Sequence, residues 1–357
     1  MRNRAVLIPL FLSLAACGQY AGFPAGSPST PIQIQSVALG DTRVFIADGS
    51  RWWADGSRWW ADGSRWWADG TRWWADGSRW WADGTFQPAP ENSAAFKLIG
   101  LDRIQDLASK MGQGVIVAVI DTGVDFEHPM LKGALLPGHD YINNRQGARE
   151  EGGDHDLAYG HGSAVAGLIR QVAPAATILP MRVLSPDGSG LDKAVAQAIR
   201  DAAAQGARVI NLSLGTSTST GGVRDAIVSA TEQGVIVLGA SGNAGESKPQ
   251  SPAWHMGNPD AAGRMSLSVG AVDQAGNAVS WSNAGSEVVA PGVNMTTAYP
   301  GQRLVNASGT SFSTPLVSGA VALALAEGAN ASRLSETLKS SSQQGRLDVA
   351  NLMAQPK

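Results

Sequence analysis

The stretch VIVAVIDTGVD, Val115–Asp125, decides how the chain folds. Its first six residues form an unbroken apolar run, the pattern of a strand buried on both faces. The run stops at Asp121, followed by Thr-Gly. Working outward from it, the segment from Asp192 to Gln205 places Val195, Ala198, Ile199 and Ala202 at helical spacing and ends at Gly206. Next come VINLSL (209–214), a helix-like GGVRDAIVSATEQG (221–234) and VIVLGA (235–240). Strand and helix alternate. This rhythm predicts an α/β fold, a doubly wound parallel sheet in three layers with helices on both faces. Ligands in such sheets collect at the carboxyl ends of the strands, which is where chemistry is expected.

The chain has 357 residues, 43% of them apolar, and a net charge of −3. That length accommodates one large globular domain with an appended N-terminal segment. The near-neutral balance gives no electrostatic footprint for nucleic acid.

The N-terminus begins MRNRAVLIPLFLSLAACGQY. Arg2 and Arg4 precede an apolar run, Ala5 to Leu14, that is too short to span a bilayer. The run leads into Leu14-Ala15-Ala16-Cys17, which resembles the lipobox of bacterial lipoproteins. The resemblance implies a signal peptide over 1–16 and lipid attachment at Cys17. Cys17 is the single cysteine, so it has no disulfide partner within the chain. Residues 17–44 read as a tether and a short strand-like segment.

Residues 45–85 hold a seven-residue repeat, SRWWADG with Thr for Ser in the fourth unit, in five copies from Ser50 to Gly84. Ten of the 12 tryptophans lie there. Two adjacent Trp cannot share one helical stripe, and a Gly in every unit weakens a helix, so the heptad is not a coiled coil. Asp-Gly favours tight turns, which predicts extended arms joined by turns. A linker, 86–94, separates this tract from the globular domain, 95–352.

Three segments of the domain carry candidate chemistry. Asp121 follows the VIVAVI strand, His161 stands in YGHGSAVAG, and Ser311 stands in SGTSFSTPLVSGAVALALA where a long apolar helix begins. Singly, each is an ordinary cap or turn residue. Together, IDTGVD, GHGSAVAG and GTSFSTP resemble the three catalytic motifs of the subtilisin-like serine peptidases, the subtilase family, in that family's Asp…His…Ser order. The resemblance covers about residues 95–350. It implies a subtilisin-like fold and an Asp121–His161–Ser311 triad that hydrolyses peptide bonds through an acyl-enzyme. It further implies that Asn243, in GASGNAG, is the side-chain donor of the oxyanion hole. Ser213, Leu214 and Gly215 of NLSLG would line the cleft and pair with bound peptide as an added strand. SPAWH (251–255) resembles the far wall of the specificity pocket. With no acidic residue in these two segments, apolar rather than basic side chains are expected before the cut.

The chain also departs from the family pattern. Ala164 replaces a second His after His161, and AVAGLIRQVAPAATILPMRVL leaves no room for the calcium loop that secreted subtilisins insert. Met130 stands where those enzymes supply a carboxylate, and a thioether is no ligand for a hard cation. No cofactor is therefore expected and the strong calcium site is read as absent; weaker calcium sites stay open. REEGGDHD (149–156) has several metal-binding residue types but no helical ligand spacing, and reads as a solvated loop. No G-x-S-x-G motif occurs, which argues against an α/β-hydrolase esterase.

The expected protein is a lipid-anchored serine endopeptidase of the cell envelope. Its partners are protein or peptide substrates and the membrane, through Cys17. The alternative is an envelope scaffold that binds glycan or protein through the Trp repeats.

Overall fold

A computed structural model describes residues 44–47, 51–59, 71–73, 79–81, 89–104, 106–217, 221–257 and 264–356. Cys17 and the tether lie outside the described residues. Two strands of the N-terminal segment, β1 (Val44–Ala47) and β2 (Arg51–Trp59), come first. An antiparallel pair follows, β3 (Thr71–Trp73) with β4 (Arg79–Trp81). The main body starts with α1 (Ser93–Leu98), β5 (Ile116–Asp121), β6 (His139–Asp140) and β7 (Arg145–Gln146). It continues through α2 (His161–Val172), β8 (Thr177–Arg182), β9 (Ser189–Leu191) and α3 (Asp192–Ala204). Then come β10 (Val209–Leu212), β11 (Leu214–Gly215), α4 (Gly221–Glu232), β12 (Ile236–Ala240) and β13 (Ser266–Val272). The last elements are β14 (Val288–Pro291), β15 (Met295–Tyr299), β16 (Arg303–Ser308), α5 (Thr310–Ala326), α6 (Ala331–Ser341) and α7 (Val349–Met353).

The main sheet has eight strands in the order β14-β13-β12-β10-β5-β8-β6-β7. All neighbours are parallel except β6 and β7. Side chains alternate across each strand, so the central strands feed two cores. Val117 and Val119 of β5 pack with Val165, Leu168 and Ile169 of α2 and Phe312, Leu316 and Val317 of α5. Ala118 and Ile120 face the other way, toward Val195 and Ile199 of α3 and Val223 and Ile227 of α4. The continuous apolar run is the consequence of being buried on both faces.

From β5 the chain goes to β8 on one side, then returns to lay β10 on the other. The strand order reverses at β5, so a crevice opens at the carboxyl ends of β5 and β10. Asp121 ends β5, and Ser213 follows β10.

The body begins a little before the boundary expected from composition. Ala89 N–H donates to Gln171 Oε1 at 3.1 Å, and Asn92 Nδ2 donates to Gln171 Oε1 and to the Thr296 carbonyl. In the repeats, Asp55-Gly56 lies within β2, which pairs antiparallel with β16. Ala54 pairs with Val305 and Trp59 with Arg303, so the four residues from Asp55 to Arg58 stand opposite Leu304 alone and the register breaks at the Asp-Gly pair. The Asp76-Gly77 pair between β3 and β4 lies outside the described residues.

A buried ion pair closes the sheet beside the crevice. Arg182, at the end of β8, is fully enclosed and donates from Nη1 to Asp140 Oδ2 at 2.8 Å. Its Nε donates to the Thr122 carbonyl at 3.2 Å, next to Asp121. Burial alone would raise the Asp140 carboxyl, but hydrogen bonds from Asn143 and the Arg182 charge hold it below the usual range. Arg182→Ala removes the buried partner of Asp140 and leaves it only the half-exposed Arg145 as a counter-charge, so a loss of about 3 kcal/mol is expected by urea denaturation. Adding Asp140→Asn should recover part of it; full stability in Arg182→Ala alone would contradict the assignment.

Candidate active site

Asp121 and His161 are both buried, at 1% side-chain exposure each. Asp121 Oδ1 accepts the Thr122 N–H at 2.7 Å and stands 2.8 Å from His161 Nδ1. A carboxylate can only accept, so the ring proton sits on Nδ1 and Nε2 is left as the basic nitrogen. The sequence makes this approach possible with glycine. Gly162 N–H donates to Thr122 Oγ1 at 2.9 Å, and a Cβ at Gly162 would run into the Gly123 carbonyl oxygen. The start of α2 therefore lies directly on the turn that ends β5.

Ser311 occupies the first turn of α5, fully buried. Its Oγ donates to the Ser213 carbonyl at 3.1 Å. Pro315, four residues on, has no N–H for the Ser311 carbonyl, which a regular helix would require. Ser213 Oγ supplies the missing donor at 2.9 Å. Asn211 Nδ2 in turn donates to Ser213 Oγ at 2.9 Å, and Ser318 Oγ donates to Asn211 Oδ1 at 2.9 Å. The nucleophile candidate is thus fixed to the end of β10 through both its backbone and its side chain. The rings of His161 and Phe312 lie 5.4 Å apart, which brings α2 against the same turn.

Asn243 lies beyond the end of β12. Its Oδ1 accepts from Thr310 N at 2.9 Å and from Thr310 Oγ1 at 3.0 Å. Those bonds orient the amide, with Nδ2 as its opposite, donating end. The structure therefore gathers Asp121, His161, Ser213, Asn243 and Ser311 around one crevice. Leu214 and Gly215 form β11, and their strand partner is β1 of the chain's own N-terminal segment. Met130 is buried, with its Sδ 3.9 Å from Gln171 Nε2. A sulfur facing an amide does not fit a calcium ligand.

Two residues of the site carry no motif. Glu150 belongs to the segment expected to be a solvated loop; most of that segment is exposed, and the Glu150 carboxyl is the exception. The loop returns to β5, with Glu150 N–H donating to the Val124 carbonyl at 3.0 Å. Glu150 Oε2 accepts from Ser163 Oγ at 2.9 Å, and Oε1 is sealed from solvent. Burial pushes this carboxyl up to about 7, and the nearby Asp121 charge adds to the rise. Hydrogen bonds from Thr122, Gly160 and Ser163 work against it. Its neighbours Glu151 and Asp154 are also engaged, Glu151 with Arg182 and Arg145, Asp154 with Arg303. The second is Gln250, whose side chain lies against both Gly215 and Gly242. Its Nε2 is buried and has no hydrogen-bond partner among the described residues. The only signal for either in the sequence is adjacency: Glu150 stands before the His motif and Gln250 before SPAWH.

Comparison with known proteins agrees with this geometry. A model of the subtilase family matches residues 112–351. Thermitase of Thermoactinomyces vulgaris is 37% identical over 235 residues, covering 62% of this chain and 79% of thermitase. Subtilisin BL of Lederbergia lenta is 38% identical over 239 residues, 63% of this chain and 82% of that enzyme. A thermophilic serine proteinase of Bacillus sp. (strain AK1) is 38% identical over 236 residues, with 55% of its own length covered. The chain therefore belongs to the subtilase family and is a serine-type endopeptidase.

Proposed function

We propose that the chain is a lipid-anchored endopeptidase of the cell envelope in which Asp121, His161 and Ser311 form the catalytic triad. The buried 2.8 Å contact between Asp121 Oδ1 and His161 Nδ1, with Ser311 on the adjoining helix turn, carries this reading. His161 Nε2 takes the proton of Ser311 Oγ as the hydroxyl attacks the substrate carbonyl. Asp121 holds the tautomer and stabilises the imidazolium. Asn243 Nδ2 and backbone N–H groups at the start of α5 donate to the oxyanion. The imidazolium then protonates the leaving amine, and water releases the acyl group by the reverse steps. The anchor rests on the Leu14-Ala15-Ala16-Cys17 resemblance. Among the described residues no helix is long and apolar enough to cross a membrane.

Ser311→Ala is expected to abolish labelling by a fluorophosphonate probe and to lower peptide hydrolysis by roughly a thousandfold or more. Retained hydrolysis would overturn the triad. Asn243→Ala should cost about a hundred- to a thousandfold in turnover, a scale that comes from subtilisin rather than from this chain.

Cys17→Ser should move the protein from the membrane fraction to the soluble one. An unmodified Cys17 in the mature wild-type chain, read by mass spectrometry, would refute the anchor.

Glu150 adds a pH dependence. Its carboxyl is pushed up to about 7 in the folded chain, from an ordinary value of 4.5. Between those values the unfolded chain has released the proton and the native chain keeps it. Native stability therefore falls as pH rises across that window, by up to about 1.4 kcal/mol per pH unit. Glu150→Gln cannot lose a proton, so its stability relative to wild type should climb from pH 4.5 to 7. Urea midpoints in a Ser311→Ala background measure this, and parallel curves would show that Glu150 is not held neutral.

A further inference from the structure

Glu150 is a buried carboxyl group beside the triad, and the steps of hydrolysis leave it without a part. Its place is set by the two segments that carry Asp121 and His161. Glu150 N–H donates to the carbonyl of Val124, three residues past Asp121, at 3.0 Å. A Cβ on Gly123 would stand 2.7 Å from the Arg149 carbonyl oxygen and 2.9 Å from Glu150 N, so only glycine lets these backbones lie together. Ser163, two residues past His161, donates from Oγ to Glu150 Oε2 at 2.9 Å. The same hydroxyl accepts the Asp125 N–H at 2.9 Å. The Thr122 hydroxyl and the Gly160 N–H also favour the ionised carboxyl, and these residues adjoin Asp121 and His161 directly. Glu150 therefore bridges the turn after β5 and the start of α2, whose approach makes the 2.8 Å Asp121–His161 contact.

The other charged groups nearby are engaged elsewhere. Arg149 is exposed and turns to Glu127 at 3.8 Å. Glu151 pairs with Arg182 and Arg145, and Asp154 with Arg303. Asp125 Oδ2 accepts the Gly301 N–H at 2.9 Å. Tyr159 is a neutral neighbour, its phenol pushed up first by burial and then by the Glu150 charge. The charge that bears on Glu150 is Asp121. Asp121 Oδ1 takes both the Thr122 N–H and the His161 ring, while Oδ2 is buried with no hydrogen-bond partner among the described residues. Burial holds Glu150 neutral up to about 7, the range in which an imidazole exchanges its own proton. Groups that share one buried site and one range titrate as a pair. An ionised Glu150 favours the imidazolium, and the neutral acid does not.

We propose that Glu150 is a positioning residue for the hydrolysis, a second carboxylate behind Asp121 that stabilises the His161 imidazolium formed in each transition state. This rests on Asp121, His161 and Ser311 being the triad. The charge has two consequences of similar size. In the free enzyme it makes His161 harder to deprotonate, so the acidic limb of kcat/KM lies at higher pH. In the transition state it lowers the energy of the imidazolium, so the alkaline plateau is higher. Both express one interaction between Glu150 and His161. A shift of half a pH unit in the limb therefore corresponds to about threefold in the plateau. Two charges about 10 Å apart at the effective dielectric of a protein interact by roughly one pH unit.

The test follows kcat/KM against pH for the purified full chain and its Glu150→Gln variant, in detergent, on one soluble peptide. Gln keeps an oxygen acceptor for Ser163 and removes the charge, so a purely structural role leaves the limb where it was. Expected is an acidic limb moved down by about half to one pH unit. The plateau near about pH 9 should fall in step, by about three- to tenfold. The wild-type limb should be spread as for two coupled groups, and the variant's should fit a single group. An unmoved limb, with or without a lower plateau, would overturn the proposal. If Glu150→Gln fails to fold, the wild-type limb decides alone, and a single-group limb there overturns it. Failure of the triad reads differently: a wild type that neither labels with fluorophosphonate nor hydrolyses the peptide overturns both.

Discussion

The carbonyl of Ser311 has no helical donor, because Pro315 brings none, and the site is organised around the group that replaces it. Ser213 Oγ takes that place, and the Ser213 carbonyl holds Ser311 Oγ. One residue after β10 thus grips the first turn of α5 by backbone and side chain. A buried hydrogen bond contributes only about 1 kcal/mol net, but an unpaired buried carbonyl costs more than that. Leaving α5 out of register with β10 would strand several such groups at once, including Asn211 and Ser318. The proline in GTSFSTP is therefore a constraint on where the helix may dock. It makes the sheet supply the partner the helix lacks.

The same logic runs through the rest of the crevice. Asp121, His161 and Arg182 are charged or chargeable groups in an interior made mostly of Val, Ile, Leu and Ala. Each is held because a strand end or helix start presents a partner at the right place. Asp121 receives the Thr122 N–H and the His161 ring, while Arg182 spans from Thr122 to Asp140. Thr122 recurs in these contacts because it occupies the tight turn where the strand order reverses. Gly162 lets α2 come down onto that turn without a clash. The small residues of the motifs set distances, and the polar ones use them.

How much of this was legible depends on whether a residue's role is local. Val115 to Asp121 announced a doubly buried strand because both faces leave their mark on the sequence. Asp121, His161, Asn243 and Ser311 sit in short motifs whose glycines, or in the last case proline, express the geometry nearby. Glu150 is different. REEGGDHD has the composition of a solvated loop, and nothing in it records that Val124 and Ser163 fold the carboxyl inside. Gln250 and Arg182 were invisible for the same reason, since their partners are distant in sequence. Asp55-Gly56 is local again: β2 pairs with β16 on either side of it, and the register breaks at that pair.

Two strands of the N-terminal segment join sheets of the peptidase domain. β1 completes a three-stranded sheet with β9 and β11, and β2 completes another with β15 and β16. A tethered segment is present at an effective concentration of roughly millimolar for a short connection, so a free peptide enters this cleft only in competition with it.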